Sequence, residues 1–110
     1  MDINRLLKQC RFSSRYRGYL MLAECLTVIL ANEKKIMRMT EVYAEVGEKF
    51  GISWNGVERN IRTALNYAWE NGGQAELEKL FGGVFYTMPS AGELIELLTE
   101  YLKDHASEQD

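Results

Sequence analysis

A chain of 110 residues, 46% hydrophobic and 26% charged, has the size and balance of one soluble globular domain and leaves no room for a second. One Pro and nine Gly exclude a low-complexity chain, and the longest apolar stretch, Tyr19 to Ala31, is interrupted by Glu24 and too short to span a bilayer. The net charge of −3 argues weakly against nucleic-acid binding, but residues 1–40 carry eight Lys/Arg against three Asp/Glu (+5) and residues 41–110 five against thirteen (−8), and the local field decides what a surface binds.

The chain reads as helices punctuated by Gly, Ser, Thr and Asn. It opens Met-Asp-Ile-Asn-Arg with no hydrophobic signal segment, so a cytoplasmic protein without membrane contact is expected. Ile3, Leu6, Leu7 and Cys10 fall at i, i+3, i+4 and i+7 and predict a short amphipathic helix. The basic, Ser-containing stretch Arg11 to Arg17 reads as a linker. Tyr19, Leu22, Ala23, Leu26, Ile29 and Leu30 form a longer stripe stopped by Asn32, and residues 33–38 read as a short helix carrying Lys34, Lys35 and Arg38. Thr40 is the expected N-cap of a helix with Val42, Val46 and Phe50 on one face, ending at Gly51. Ser53 caps the next helix, whose apolar side is Val57, Ile61, Ala64, Leu65, Ala68 and Trp69, with Asn71-Gly72-Gly73 as its stop. Ala75 to Phe81 is a further helix ended by Gly82-Gly83, and Val84 to Met88 an extended connector. Ser90 to Glu93 is a capping box opening a last stripe of Leu94, Leu97, Leu98, Tyr101 and Leu102. The expected architecture is all-α, about six helices, with an N-terminal helix and basic linker over 1–16, a main domain over 17–105 and a frayed tail over 106–110.

Two of these helices, about 40–50 and 54–70, carry the functional signal. They are joined by Phe50-Gly51-Ile52-Ser53, and Gly47 stands where the first must cross close to the second, the requirements of a helix-turn-helix. On the second helix Asn55, Arg59, Arg62 and Asn66 lie at i, i+4, i+7 and i+11, opposite the apolar stripe, with Glu58 beside them. Arg and Asn read guanine and adenine edges bidentately, and Glu accepts from a cytosine amine. A solvated face with a Glu58–Arg62 pair explains the same pattern equally well.

The order Val57-Glu58-Arg59-Asn60-Ile61-Arg62, then Ala68-Trp69-Glu70-Asn71-Gly72, then Leu80-Phe81-Gly82 resembles the C-terminal DNA-binding domain of the master response regulator of sporulation initiation, over about residues 17–105. The resemblance implies a six-helix, all-α domain whose second helix-turn-helix element enters the major groove of a TGTCGA-like box. It implies that Glu58, Arg59 and Arg62 face the bases and that Ser53 and Asn55 lie close to DNA. The family's phospho-acceptor receiver has no counterpart in the residues before 17, so a stand-alone domain is expected. Asn60 stands where a small residue is usual, Trp54 is bulky for its position, and the connector from Gly82 to Glu93 is a few residues short of the family's.

The remaining constellations carry less. Cys10 and Cys25 read as free thiols in small apolar positions, and with His105 as the single histidine no metal site is expected. Glu93, Glu96 and Glu100 read as a solvated face, Met37 and Met39 as packing, and Tyr16, Tyr19 and Trp69 as core or core edge. Ser13 and Ser14 lie in the basic stretch with nothing to mark them out for phosphorylation. No phosphate loop, nucleophile elbow or triad is present, so neither an enzyme nor a cofactor is expected. The expected function is sequence-specific binding of double-stranded DNA in transcriptional control. Asn55, Glu58, Arg59 and Arg62 face bases, and Ser53, Lys34, Lys35, Arg38 and the N-terminal arginines face the backbone. A homodimer or tandem molecules would occupy paired half-sites. The alternative is a protein-interaction module that kept the fold and binds a regulator, marked by an apolar surface at 84–88 and the last helix.

Overall fold

The computed structural model describes residues 2–34 and 37–106. It contains helices α1 (Ile3–Gln9), α2 (Arg17–Ala31), α3 (Met39–Phe50), α4 (Trp54–Ala68), α5 (Gln74–Phe81) and α6 (Ala91–Asp104), and no strand occurs among the described residues. The fold is all-α, as the periodicities predict. Among the described residues no helix is long and apolar enough to cross a membrane.

The core forms where the apolar stripes meet. α2 and α4 lie at the centre and pack on each other most extensively; α3 closes one side of α4, and α6 packs mainly on α2. Leu22 and Leu26 of α2, Ile61 and Leu65 of α4, and Leu94, Ile95 and Leu98 of α6 are wholly buried. Each such side chain contributes about 1.5–3 kcal/mol through removal from water. Leu6, Leu7 and Cys10 of the first helix enter the same core. Both cysteines are free and buried, and desolvation pushes their thiols up to about 12, which keeps them protonated and inert at neutral pH.

Helix ends show where local chemistry decides and where packing overrides it. Asp2 caps α1 by accepting from the Arg5 N–H at 2.8 Å. The helix closes through Arg11 in the left-handed region (φ 72°), with the Phe12 N–H donating to the Leu7 carbonyl. α2 stops at Asn32, whose Nδ2 donates to the Val28 carbonyl at 2.8 Å. The short helix expected over 33–38 is absent from its described part: Glu33 and Lys34 lie in a turn, and Met37 and Arg38 have no regular structure, while Lys35 and Ile36 fall outside the described residues. Six residues cannot offset the cost of a helix nucleus without a packed face, and Met37 and Met39 lean on the main core instead. For the same reason Thr40 is not the N-cap. α3 starts earlier, with Arg38 at the cap position, its N–H donating to Glu41 Oε1 at 2.8 Å.

After α4 the chain stops where predicted: Asn71 (φ −113°) and Gly72 (φ 102°) leave helical geometry, and a new helix starts at once at Gln74. The connector after Gly82 is extended. Phe85 fastens it: its N–H donates to Glu78 Oε2 and its carbonyl accepts from Gln74 Nε2, both at 2.9 Å. Its ring meets Trp69 and Phe81 edge-on at 6.0 and 6.5 Å. The Ser90–Glu93 capping box opens α6: the Ser90 N–H donates to Glu93 Oε1 at 2.9 Å, which holds that carboxyl below its ordinary range, and the Glu93 N–H donates to Ser90 Oγ at 3.1 Å. Ile95 takes a core position in α6 and Leu97 only a half-buried one.

Candidate nucleic-acid interface

The α3–turn–α4 unit is built around missing side-chain atoms. A Cβ on Gly47 would lie 2.5 Å from the Ile52 carbonyl oxygen, so only glycine lets the turn fold back on α3. Gly51 takes φ 72°, where a Cβ is strained, and the Ile52 N–H donates to the Gly47 carbonyl at 3.0 Å. Val46 and Val57 are buried at the contact, and Phe50 and Ile52 are partly buried beside it.

Long-range packing braces α4 from behind. The start of α2 presses Gly18 onto the Asn60 carbonyl so closely that a Cβ there would overlap it. The Tyr16 ring lies 5.1 Å from that of Tyr67, and Lys49 of α3 pairs with Glu24 of α2 at 3.1 Å. Tyr19 is buried, with its hydroxyl donating to Asn4 Oδ1 at 3.1 Å; Tyr16 and Trp69 sit at the core edge.

The front of α4 is left open. Val57, Ile61, Ala64, Leu65 and Ala68 point inward, and Asn55, Arg59, Arg62 and Asn66 are exposed, with Glu58 half-buried at the margin. Arg62 pairs with Glu58 at 3.3 Å. In water such an exposed pair adds only about 0.3–0.5 kcal/mol to stability. It still leaves most of the five guanidinium donors available, in a preset direction. Arg59 makes no ion pair with a described residue.

Ser53 occupies the N-cap position with extended φ and ψ, but its hydroxyl donates to Asn55 Oδ1 at 2.5 Å and makes no cap bond to the backbone. Oδ1 keeps a second lone pair and Nδ2 both protons, so Asn55 retains the groups that pair with an adenine edge. Asn60 turns away from this face and donates to its own helix at the Gly56 carbonyl, 2.8 Å.

The other sequence-derived candidates lie elsewhere. Lys34 and Arg38 are exposed in the α2–α3 loop. No hydrogen bond between side chains or ion pair among the described residues joins them to α4, and Lys35 falls outside the described residues. The depression beside that loop is lined from α2, α3 and α6, among them Met37, Met39, Glu96 and Glu100. Arg15 and Arg17 are exposed at the opposite end of α2, the end braced against α4, and Arg11 pairs with Glu76 at 3.3 Å. Trp54, the first residue of α4, is 47% exposed, beside the Ser53–Asn55 pair. Glu93, Glu96 and Glu100 are exposed on α6, and no group of three or more His, Cys, Asp or Glu able to hold a metal ion occurs among the described residues.

Over residues 3–102 the chain matches the protein family described as sporulation initiation factor Spo0A C terminal. The match starts inside α1, earlier than residue 17, in keeping with the place of Leu6 and Leu7 in the shared core. With nearly its whole length matched, the chain belongs to this family, that of the DNA-binding effector domain of the sporulation regulator.

Proposed function

We propose that this member of the Spo0A C-terminal family reads a specific sequence in double-stranded DNA, with α4 in the major groove, and acts in transcriptional control from the bacterial nucleoid in the cytoplasm. The observation that carries the reading is the outward row of Asn55, Arg59, Arg62 and Asn66 on the second helix of a helix-turn-helix whose inner side is closed in the core. Arg59 and Arg62 read guanine, each contributing about 1–3 kcal/mol of discrimination. Glu58 orients Arg62 or accepts from cytosine, and Asn55 reads adenine. Ser53, Lys34, Lys35 and Arg38 contact the sugar-phosphate backbone, which fixes register without carrying sequence. One module of this size holds DNA weakly, so a homodimer or tandem molecules occupy paired half-sites.

The test separates the two kinds of contact. Arg59→Ala is expected to relax sequence preference, binding a TGTCGA-like box and a scrambled duplex more nearly alike. Lys34→Ala and Lys35→Ala are expected to weaken both duplexes by the same factor. Equal small losses for all three variants on both duplexes contradict these roles.

A second reading, a module that docks on a regulator protein, is favoured by one observation. Val84 and Tyr86 of the connector are 66% and 91% exposed beside Leu97 of α6. Retained binding to a regulator by a chain that binds no duplex at low salt would select it.

A further inference from the structure

α4 opens on a large apolar side chain that the fold covers only in part. The other tryptophan, Trp69, is half-buried with its ring edge-on to Phe85, and the other exposed aromatic of α4, Tyr67, lies against Tyr16. Trp54 has no aromatic partner and no side-chain hydrogen bond among the described residues. Nearly half of its surface is in water.

Its place in α4 is specific. Recognition helices of this motif bring their N-terminal residues to the base edges. Trp54, Glu58 and Arg62 stand at i, i+4 and i+8 and form a row along one edge of the helix, with Glu58 and Arg62 already joined at 3.3 Å. Ser53 and Asn55, the chain neighbours of Trp54, are bonded to each other. The indole is thus an apolar surface at the same helix start as Asn55 and the Glu58–Arg62 pair, which the DNA reading places against bases, and next to Ser53, which it places against the backbone. The major groove offers one apolar group among its donors and acceptors, the C5 methyl of thymine. Against phosphates the indole could offer only its single Nε1–H donor and its apolar ring face would lie unmatched, whereas a thymine methyl gives that face a partner.

We propose that Trp54 is a specificity-determining residue, packing its indole ring on a thymine methyl within the bound box. The proposal rests on the DNA reading of α4 and adds to it a preference that hydrogen bonding from Arg, Asn and Glu does not supply.

The test uses the full chain, its Trp54→Ala and Trp54→Phe variants, and duplexes carrying a TGTCGA-like box in which each thymine in turn is replaced by deoxyuridine. That replacement removes the methyl and leaves every hydrogen-bonding group in place. Circular dichroism and thermal melting verify that the variants fold. For the unsubstituted chain one replacement is expected to weaken binding about fourfold, the effect of one buried methyl group. Trp54→Ala is expected to bind the thymine and deoxyuridine forms equally, and Trp54→Phe to retain part of the difference. If Trp54→Ala binds too weakly to measure, the Phe variant decides: a reduced difference supports the proposal, and an unchanged one overturns it. Indifference of the unsubstituted chain to every replacement, or an equal loss in Trp54→Ala, overturns the proposal and leaves the DNA reading standing. Failure of the unsubstituted chain to bind any duplex overturns both.

Discussion

α4 and α6 are both amphipathic helices with their apolar sides closed in one core, but they turn opposite charges to solvent. α4 presents Asn55, Arg59, Arg62 and Asn66; α6 presents Glu93, Glu96 and Glu100. Ile61 and Leu65 on one, and Leu94 and Leu98 on the other, are equally buried, so the inner faces are interchangeable in kind. The difference lies in the outward residues and in what stands at each helix start. α6 begins with a satisfied capping box, while α4 begins with Ser53 bonded to Asn55 and with an exposed Trp54. A net charge of −3 therefore describes neither face. An acidic chain can offer a basic reading surface, because the local field and not the net charge decides what a face attracts.

Three sets of substitutions sharpen or break this contrast. The largest effect is expected in the common core. Ile61→Ala and Leu98→Ala each delete a wholly buried side chain and are expected to cost about 2–5 kcal/mol in denaturant unfolding. A cost below ~1 kcal/mol for either would show that the two helices do not share one packed interior.

A smaller, asymmetric effect is expected from two glycines. Gly47→Ala places a Cβ 2.5 Å from the Ile52 carbonyl and is expected to destabilise by about 1–3 kcal/mol. Gly92→Ala meets nothing nearer than Met39 Cγ at 3.7 Å and is expected to be neutral or to stabilise by about 0.4–1 kcal/mol through the unfolded chain. Thermal melting of the two variants checks the contrast, and equal losses would contradict the account of the α3–α4 turn.

The smallest effect is expected on the acidic face. Glu96→Gln with Glu100→Gln should raise affinity for all duplexes slightly and uniformly, leaving sequence preference unchanged. A change in preference, read from competition with scrambled DNA, would place α6 at the bases and undo the division of labour.

Much of the α4 unit was legible in the sequence because its signals are local. The stripe Val57, Ile61, Ala64, Leu65 and Ala68 carries its own period, and Gly47 and Gly51 mark the crossing and the turn that the structure contains. The same period places Asn55, Arg59 and Arg62 on one exposed face. Long-range features were not legible. The contact of Gly18 with the Asn60 carbonyl joins residues far apart in the chain, as does the Tyr16–Tyr67 pair. The start of α3 was misplaced because Thr40 is the better isolated cap, whereas the helix starts at Met39, which packs on the core. The stop at Asn71–Gly72 was legible because glycine supplies the positive φ it needs, but not how soon α5 resumes to bury Leu77. The Ser53–Asn55 bond depends on the geometry of a helix start that composition does not reveal.

The most direct test of the central claim is binding of the purified chain to two labelled duplexes, one carrying a TGTCGA-like box and one scrambled, over a salt series. The account predicts tighter binding to the box, with both affinities falling as salt rises in proportion to the phosphates contacted. Equal affinity for both duplexes at every salt concentration, or no binding to either at low salt, would contradict it.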